Sequence, residues 1–213
     1  TWKSRGLGDV YKRQVLLISL AFIGCKSIQK NGIAVKNYDL YNDDGSINAL
    51  IEIPAGTLEK WEYNKSTRKI ELELVNNKPR IINYLGYPAN YGMIPKTLLP
   101  KNNGGDGDPL DVIVIGPSET KGNIVKCKII GVLKLIDNSE QDDKLIAISY
   151  KSNLHNVNDI NELNASYNGI LEILEIWFSN YKAGGQIKSM GYENRFSALK
   201  ILEDSRAHFI SNQ

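Results

Sequence analysis

Residues 104–116 read GGDGDPLDVIVIG: three aspartates, Asp106, Asp108 and Asp111, fall within six residues, and an apolar β-branched run follows at once. The run is short, rich in Val and Ile, and bounded by turn residues, which predicts a buried strand. Gly107 lets the backbone turn tightly and Pro109 fixes φ, so Asp111 opens that strand. Carboxylates this close repel one another. Solvent, basic side chains or a metal ion must offset the repulsion. A solvated acidic turn is common at a strand mouth, but an acid at the head of a core strand favours ligation of a hard cation. An EF-hand loop is excluded. Counting from Asp106, its sixth position is Asp111 instead of Gly and its twelfth is Pro117 instead of Glu.

Outward from this stretch, strand signals dominate. ALIEIPA (49–55), KWEYN (60–64) and KIELELV (69–75) alternate apolar and polar residues, and IVKCKIIGVLKLI (124–136) and KLIAISY (144–150) are β-rich. Turn chemistry separates them, as in NNKP (76–79) and DNSEQDD (137–143). After Asn158 the pattern changes. Ile160, Leu163, Tyr167, Leu171, Leu174, Phe178 and Tyr181 form one helical stripe over residues 159–181, capped by Asn158 or Asp159. A second helix is predicted over 193–208, with Phe196, Leu199, Leu202 and Phe209 on one face. Strands first and helices last mean an α+β, mainly β, fold with a closed or nearly closed sheet.

A second acidic cluster, Asp137, Asp142 and Asp143 with Lys144, follows the long predicted strand. By itself it is a charged hairpin tip; beside the first cluster it is the other half of a multi-metal site. Asp143 is expected to face solvent. Lys60, Arg80, Tyr91, Lys144, Tyr181 and Lys182 supply cations and phenols. Acids gathered for metals and bases gathered for an anion point to a metal–phosphate substrate, because Mg²⁺ is commonly held by carboxylates together with phosphate oxygens.

The chain has 213 residues, 42% of them hydrophobic and 23% charged, the composition of one ordinary globular domain. Residues 1–24 stand apart. Residues 1–14 resemble translated adapter sequence, and VLLISLAFIG (15–24) suits a signal-peptide h-region, being too short to span a bilayer as a helix. Its FIGC ending resembles a bacterial lipobox, which implies cleavage before Cys25 and acylation of that thiol. Residues 25–44 read as a polar tether and 45–213 as the functional domain. Removing the leader, with Lys3, Arg5, Lys12 and Arg13 against Asp9, turns the net charge of +2 into −1. A nucleic-acid footprint is therefore absent. The leader implies a lipoprotein of the bacterial cell envelope, touching membrane only through Cys25; without it the location is cytoplasmic. The other cysteine, Cys127, is expected to be a small buried hydrophobe.

IEIPAG (51–56), KWEY (60–63), YPANYG (87–92), DGDPLDV (106–112), GVLKLIDNSEQDDK (131–144) and NYK (180–182) occur in the order and approximate spacing of the soluble, family I inorganic pyrophosphatases, which this chain resembles over most of its mature length. The resemblance implies an OB-like five-stranded β-barrel with flanking C-terminal helices, and Mg²⁺-dependent hydrolysis of inorganic diphosphate, with Mn²⁺ or Zn²⁺ as possible substitutes. It implies that Asp106, Asp111 and Asp142 bind one metal, that Asp111 is shared with a second, and that Asp137 and Glu52 serve the substrate-borne metals. Asp108 resembles the acceptor of the proton from the attacking water. Lys60, Arg80, Tyr91, Lys144, Tyr181 and Lys182 resemble the phosphate-binding set, with Glu62 and Tyr87 lining the same cavity. A homo-oligomer, commonly a hexamer, is the family expectation.

Overall fold

The computed structural model describes residues 32–34, 36–99, 107–182 and 186–212. The leader, Cys25 and Asp106 lie outside the described residues. Twelve strands are described: β1 (Ile33–Ala34), β2 (Ile47–Ile53), β3 (Trp61–Asn64), β4 (Lys69–Leu72), β5 (Leu74–Val75), β6 (Lys78–Pro79), β7 (Asn90–Met93), β8 (Asp111–Ile115), β9 (Ile124–Asp137), β10 (Glu140–Gln141), β11 (Lys144–Ser149) and β12 (Ile187–Asn194). Three helices accompany them: α1 (Ile160–Ser166), α2 (Ile170–Asn180) and α3 (Arg195–Ser211).

The sheet follows the order β9-β11-β8-β7-β2, and β2 pairs back onto β9, so these five strands return on themselves as an OB-like ring. All of the ring pairings are antiparallel except β8 with β11. The length of β9 follows from its double duty. Its first residues close the ring against β2, and its second half pairs with β12.

Both faces of β8 and β11 are apolar, for a packing reason. Val112, Val114, Leu145 and Ala147 pack with Ala198 and Leu202 of α3, whereas Ile113, Ile146 and Ile148 pack with Leu171, Leu174 and Phe178 of α2. A strand covered on both sides loses its period-two alternation. Cys127 is fully buried in the α3-facing core, and burial pushes its thiol up to about 12. The expectation of an inert apolar cysteine holds.

Several expectations are corrected. The single helical stripe over 159–181 is two helices, because Gly169 sits between them at φ +93°, a left-handed conformation that ends the first and starts the second. The cap is Asp159, whose side chain accepts from Asn161 N–H at 2.9 Å. The last helix starts later than predicted, at Arg195, with Asn194 capping it through Ser197 N–H. Its buried stripe is Ala198, Leu202 and Ser205, and Phe196 is 79% exposed. The expected tether is also partly folded. Ile33–Ala34 pairs with β4, Leu40 is buried, and Tyr41 donates its hydroxyl to Glu203 on α3.

Candidate active site

The parallel β8–β11 pair decides where the charges go. Asp111 is the first residue of β8 and Lys144 the first of β11, so parallel pairing sets both at the same end of the ring. Asp142 precedes Lys144 by two residues and shares its side of the chain. The antiparallel β9 brings Asp137 to that mouth as well. A turn through Asn138 and Ser139, both at positive φ (49° and 73°), then reverses the chain into β10, which is the type I′ hairpin geometry.

A cavity of about 230 Å³ opens here. Glu52, Lys60, Glu62, Arg80, Tyr91, Asp108, Asp111, Asp137, Asp142, Lys144, Tyr181 and Lys182 line it, which is every predicted site residue within the described part of the chain except Tyr87. Tyr87 is only 2% exposed and packs in the core beside the cavity. Its ring lies 4.4 Å from Trp177 and 5.5 Å from Tyr91 between centroids. Trp177 in turn stacks on Tyr181 at 4.8 Å, so the aromatic group ties α2 to the cavity and Tyr87 acts as backing.

Lys144 is the central cation. Its ammonium donates to Asp111 and to Asp142, each at 2.5 Å, with only 5% of the side chain exposed. Burial would lower its pKa, but the two carboxylates reverse that and raise it. Burial raises Asp142, Lys144 pulls it back, and Asp111 adds repulsion. Lys182 pairs with Asp137 alone. Tyr91 has Lys60 at 5.8 Å and Lys144 at 5.9 Å from its ring centroid, both within cation–π range. Its phenol is raised well above the usual range by burial and by Asp111 and Asp142, so it stays a neutral donor.

Lys60 donates to Glu62 at 2.6 Å, and Arg80 is held by both carboxylate oxygens of Glu73 at 2.8 and 2.9 Å. Glu52 is buried and accepts from Tyr63 N–H at 2.7 Å. Burial, reinforced by Asp111 and opposed by Lys60, pushes it up to about 8. Asp108 pairs with Lys65 at 2.5 Å, a partner that the sequence reading missed. Lys65 also donates to Gly107 O at 2.5 Å and so holds the turn that presents Asp108.

Asp143 requires a further correction. It is only 5% exposed and bonds to Lys134, to Gln141 at 2.5 Å and to Leu135 N–H at 3.3 Å, so it does not face solvent.

Whether the donors fit a metal follows from this geometry. Carboxylate oxygens are what a hard divalent cation takes, and Asp111 and Asp142 already share one buried positive charge. Among the described residues no three acidic, His or Cys groups close on a single point, and the remaining predicted ligand, Asp106, lies outside them. The chemistry fits, with the pair Asp111–Asp142 as the nucleus of the site.

An OB-like ring whose one mouth gathers acids interleaved with bases around a small polar cavity defines a class: proteins that take a polyanion together with metal cations. Residues 49–210 match the family model described as inorganic pyrophosphatase. The chain belongs to the inorganic pyrophosphatase family. It is 35% identical over 166 residues to an inorganic pyrophosphatase of Halalkalibacterium halodurans, covering 76% of this chain and 94% of that one. The structure of the inorganic pyrophosphatase from Helicobacter pylori superposes with a TM-score of 0.70 at 30% identity, covering 82% and 99% of the two chains. A truncated vacuolar soluble pyrophosphatase of Trypanosoma cruzi, solved in complex with PPi, matches with a TM-score of 0.74 at 25% identity over 85% and 76%.

Proposed function

We propose that this protein hydrolyses inorganic diphosphate to two phosphates, with Mg²⁺ as its working cation. The observation that carries this reading is the single cavity lined by Lys60, Arg80, Lys144 and Lys182 against Glu52, Asp111, Asp137 and Asp142. Asp111, Asp142, Asp137 and Glu52, with Asp106, would hold the cations. When bound, these cations neutralise substrate charge and acidify water.

The chain's own residues do the remainder. Lys60, Lys144 and Lys182 place positive charge around the phosphoryl oxygens, and Arg80 adds a planar fork that can grip two of them. These groups stabilise charge that develops on the transferred and departing phosphates. Tyr91, kept neutral, can donate its O–H. The water oxygen bonds to one phosphorus, the bridging P–O bond breaks, and the water proton passes to Asp108, which Lys65 orients at the cavity wall. Tyr181 sets the position of Lys182 through its stack on Trp177.

Released phosphate, measured on the purified protein with Mg²⁺ and diphosphate, tests the reading; no release from folded protein would sink it. Replacing Mg²⁺ gives a sharper form. Ca²⁺ takes bonds of about 2.3–2.6 Å against about 2.0–2.1 Å for Mg²⁺. It should bind and inhibit competitively, and full activity with Ca²⁺ alone would exclude a position-sensitive metal centre. Mn²⁺ and Zn²⁺ are expected to substitute in part. A homo-oligomer, hexameric by family expectation, is checked by sedimentation.

The location is part of the same proposal: an envelope lipoprotein anchored at Cys25. Two acyl chains contribute about 0.8 kcal/mol for each buried methylene, enough for stable attachment. Expressed in bacteria, the wild type should incorporate labelled palmitate and fractionate with membranes, while Cys25→Ser loses the label and keeps its activity. Unlabelled, soluble wild type would return the enzyme to the cytoplasm.

A further inference from the structure

We propose that Asp143 is a positioning residue for Asp142 and Lys144, an inference that rests on the pyrophosphatase reading of the site. Pairing between β9 and the returning chain is regular at Ile136↔Gln141 and again at Leu133↔Lys144, with no change of register between them. An unbroken ladder would therefore have Leu135 and Asp142 exchange both backbone bonds. Half of that exchange is present, since Asp142 N–H donates to Leu135 O at 2.9 Å. The other half is replaced: Leu135 N–H donates to the Asp143 carboxylate at 3.3 Å.

The second Asp143 oxygen takes the Lys134 ammonium and the Gln141 amide. One buried carboxylate thus splices the ladder at the point where β10 ends and β11 begins. Strand alternation sends Asp143 to one side and both Asp142 and Lys144 to the other, into the cavity. Asp142 and Lys144 flank the spliced residue directly, so their placement depends on Asp143 holding the chain against β9. The charges balance locally as well. Lys134 neutralises Asp143, which leaves Lys144 free to serve Asp111 and Asp142. Without Asp143, Leu135 N–H loses its acceptor and the Lys134 ammonium its counter-charge, so the segment that carries Asp142 and Lys144 is no longer held to β9 at this point.

Asp143→Ala and Asp143→Asn decide it, read by Mn²⁺ binding to the metal-free protein, by kcat and KM for diphosphate, and by thermal unfolding. Partners that orient a ligating carboxylate typically contribute about 10–100-fold in metal affinity or activity. Asp143→Ala is expected to weaken Mn²⁺ binding about tenfold and to lower kcat by a similar factor. Asp143→Asn should fall between, because its single oxygen serves either Leu135 N–H or Lys134, not both. Folded Asp143→Ala with Mn²⁺ affinity and kcat unchanged, and only its melting temperature lowered, would overturn the proposal. If that variant does not fold, Asp143→Asn decides by the same readouts: weakened Mn²⁺ binding supports the proposal and unchanged binding overturns it. An inactive wild type would sink the hydrolase reading instead, and Mn²⁺ titration of the variants would still separate a positioning role from a purely stabilising one.

Discussion

Lysine meets aspartate both at the cavity mouth and on the outer surface, under opposite conditions. Lys144 is 5% exposed and divides itself between two carboxylates at 2.5 Å. Lys126 meets Asp44 at 3.1 Å with both side chains more than half exposed. Water screens the outer pair, so its loss changes stability little. At the mouth Lys144 is shielded from water, and stranding that charge costs up to about 3–5 kcal/mol. The same residue types are decoration in one place and machinery in the other, and burial makes the difference.

The largest test of this contrast is Asp111→Asn. It removes a charge that Lys144 contacts and that the proposed metal site needs, and should lower turnover by about a thousandfold, the scale of losing a preorganised charge-stabilising group. Glu140→Gln, on the exposed β10 strand outside the cavity, should leave turnover unchanged. Comparable losses in a phosphate-release assay would break the contrast.

Next comes Lys144→Met, read as stability instead of rate. In chelator it faces Asp111 against Asp142 with no cation between them, and urea unfolding should show a loss of about 3 kcal/mol. Mg²⁺ should restore part of that loss, because it supplies the missing charge. A variant as stable as wild type in chelator would show that the mouth is solvated like the surface.

Glu52 adds a pH axis. In the metal-free protein its folded pKa of about 8 lies above the ordinary 4.5. At low pH both folded and unfolded forms hold the proton. As pH rises past 4.5 the unfolded chain ionises while the folded one does not, so stability falls until about 8 and then levels. Glu52→Gln should flatten that decline in melts run in chelator, and an unchanged slope would exclude Glu52 as its source. Lys126→Ala is the smallest effect, with a urea unfolding midpoint matching wild type; a clear shift would show that the outer pair is not screened.

Asp111, Asp137, Asp142 and Lys144 were legible in the sequence because they cluster at spacings that a hairpin and a parallel pair bring together, whereas Glu52 and Glu62 came only from the family resemblance. What escaped depended on which way a side chain faces and on distant partners. In the run Asp142–Asp143–Lys144 all three residues are charged, so alternation cannot say which face is the cavity; Lys134 on β9 settles it. The contact of Tyr87 with Trp177 depends on the position of α2, which no local pattern gives. β12 begins with one buried isoleucine followed by mixed residues, and its pairing with β9 shifts register between Ser189 and Tyr192. No short-range pattern marks such a strand. Lys65 reads as an ordinary turn lysine until its contact with Asp108 is seen.

The closure of β2 onto β9 also orders events in time. Residues 124–149 form local hairpins that need little loop entropy, so Asp137, Asp142 and Lys144 can assemble early in folding. Glu52 arrives only when β2 docks, with Ile47 pairing to Cys127 eighty positions along the chain. Such non-local pairing is the slow class of event in β-rich domains. A chain caught before that step holds Asp137, Asp142 and Lys144 without Glu52, so the return of phosphate release during refolding should time the closing of the ring.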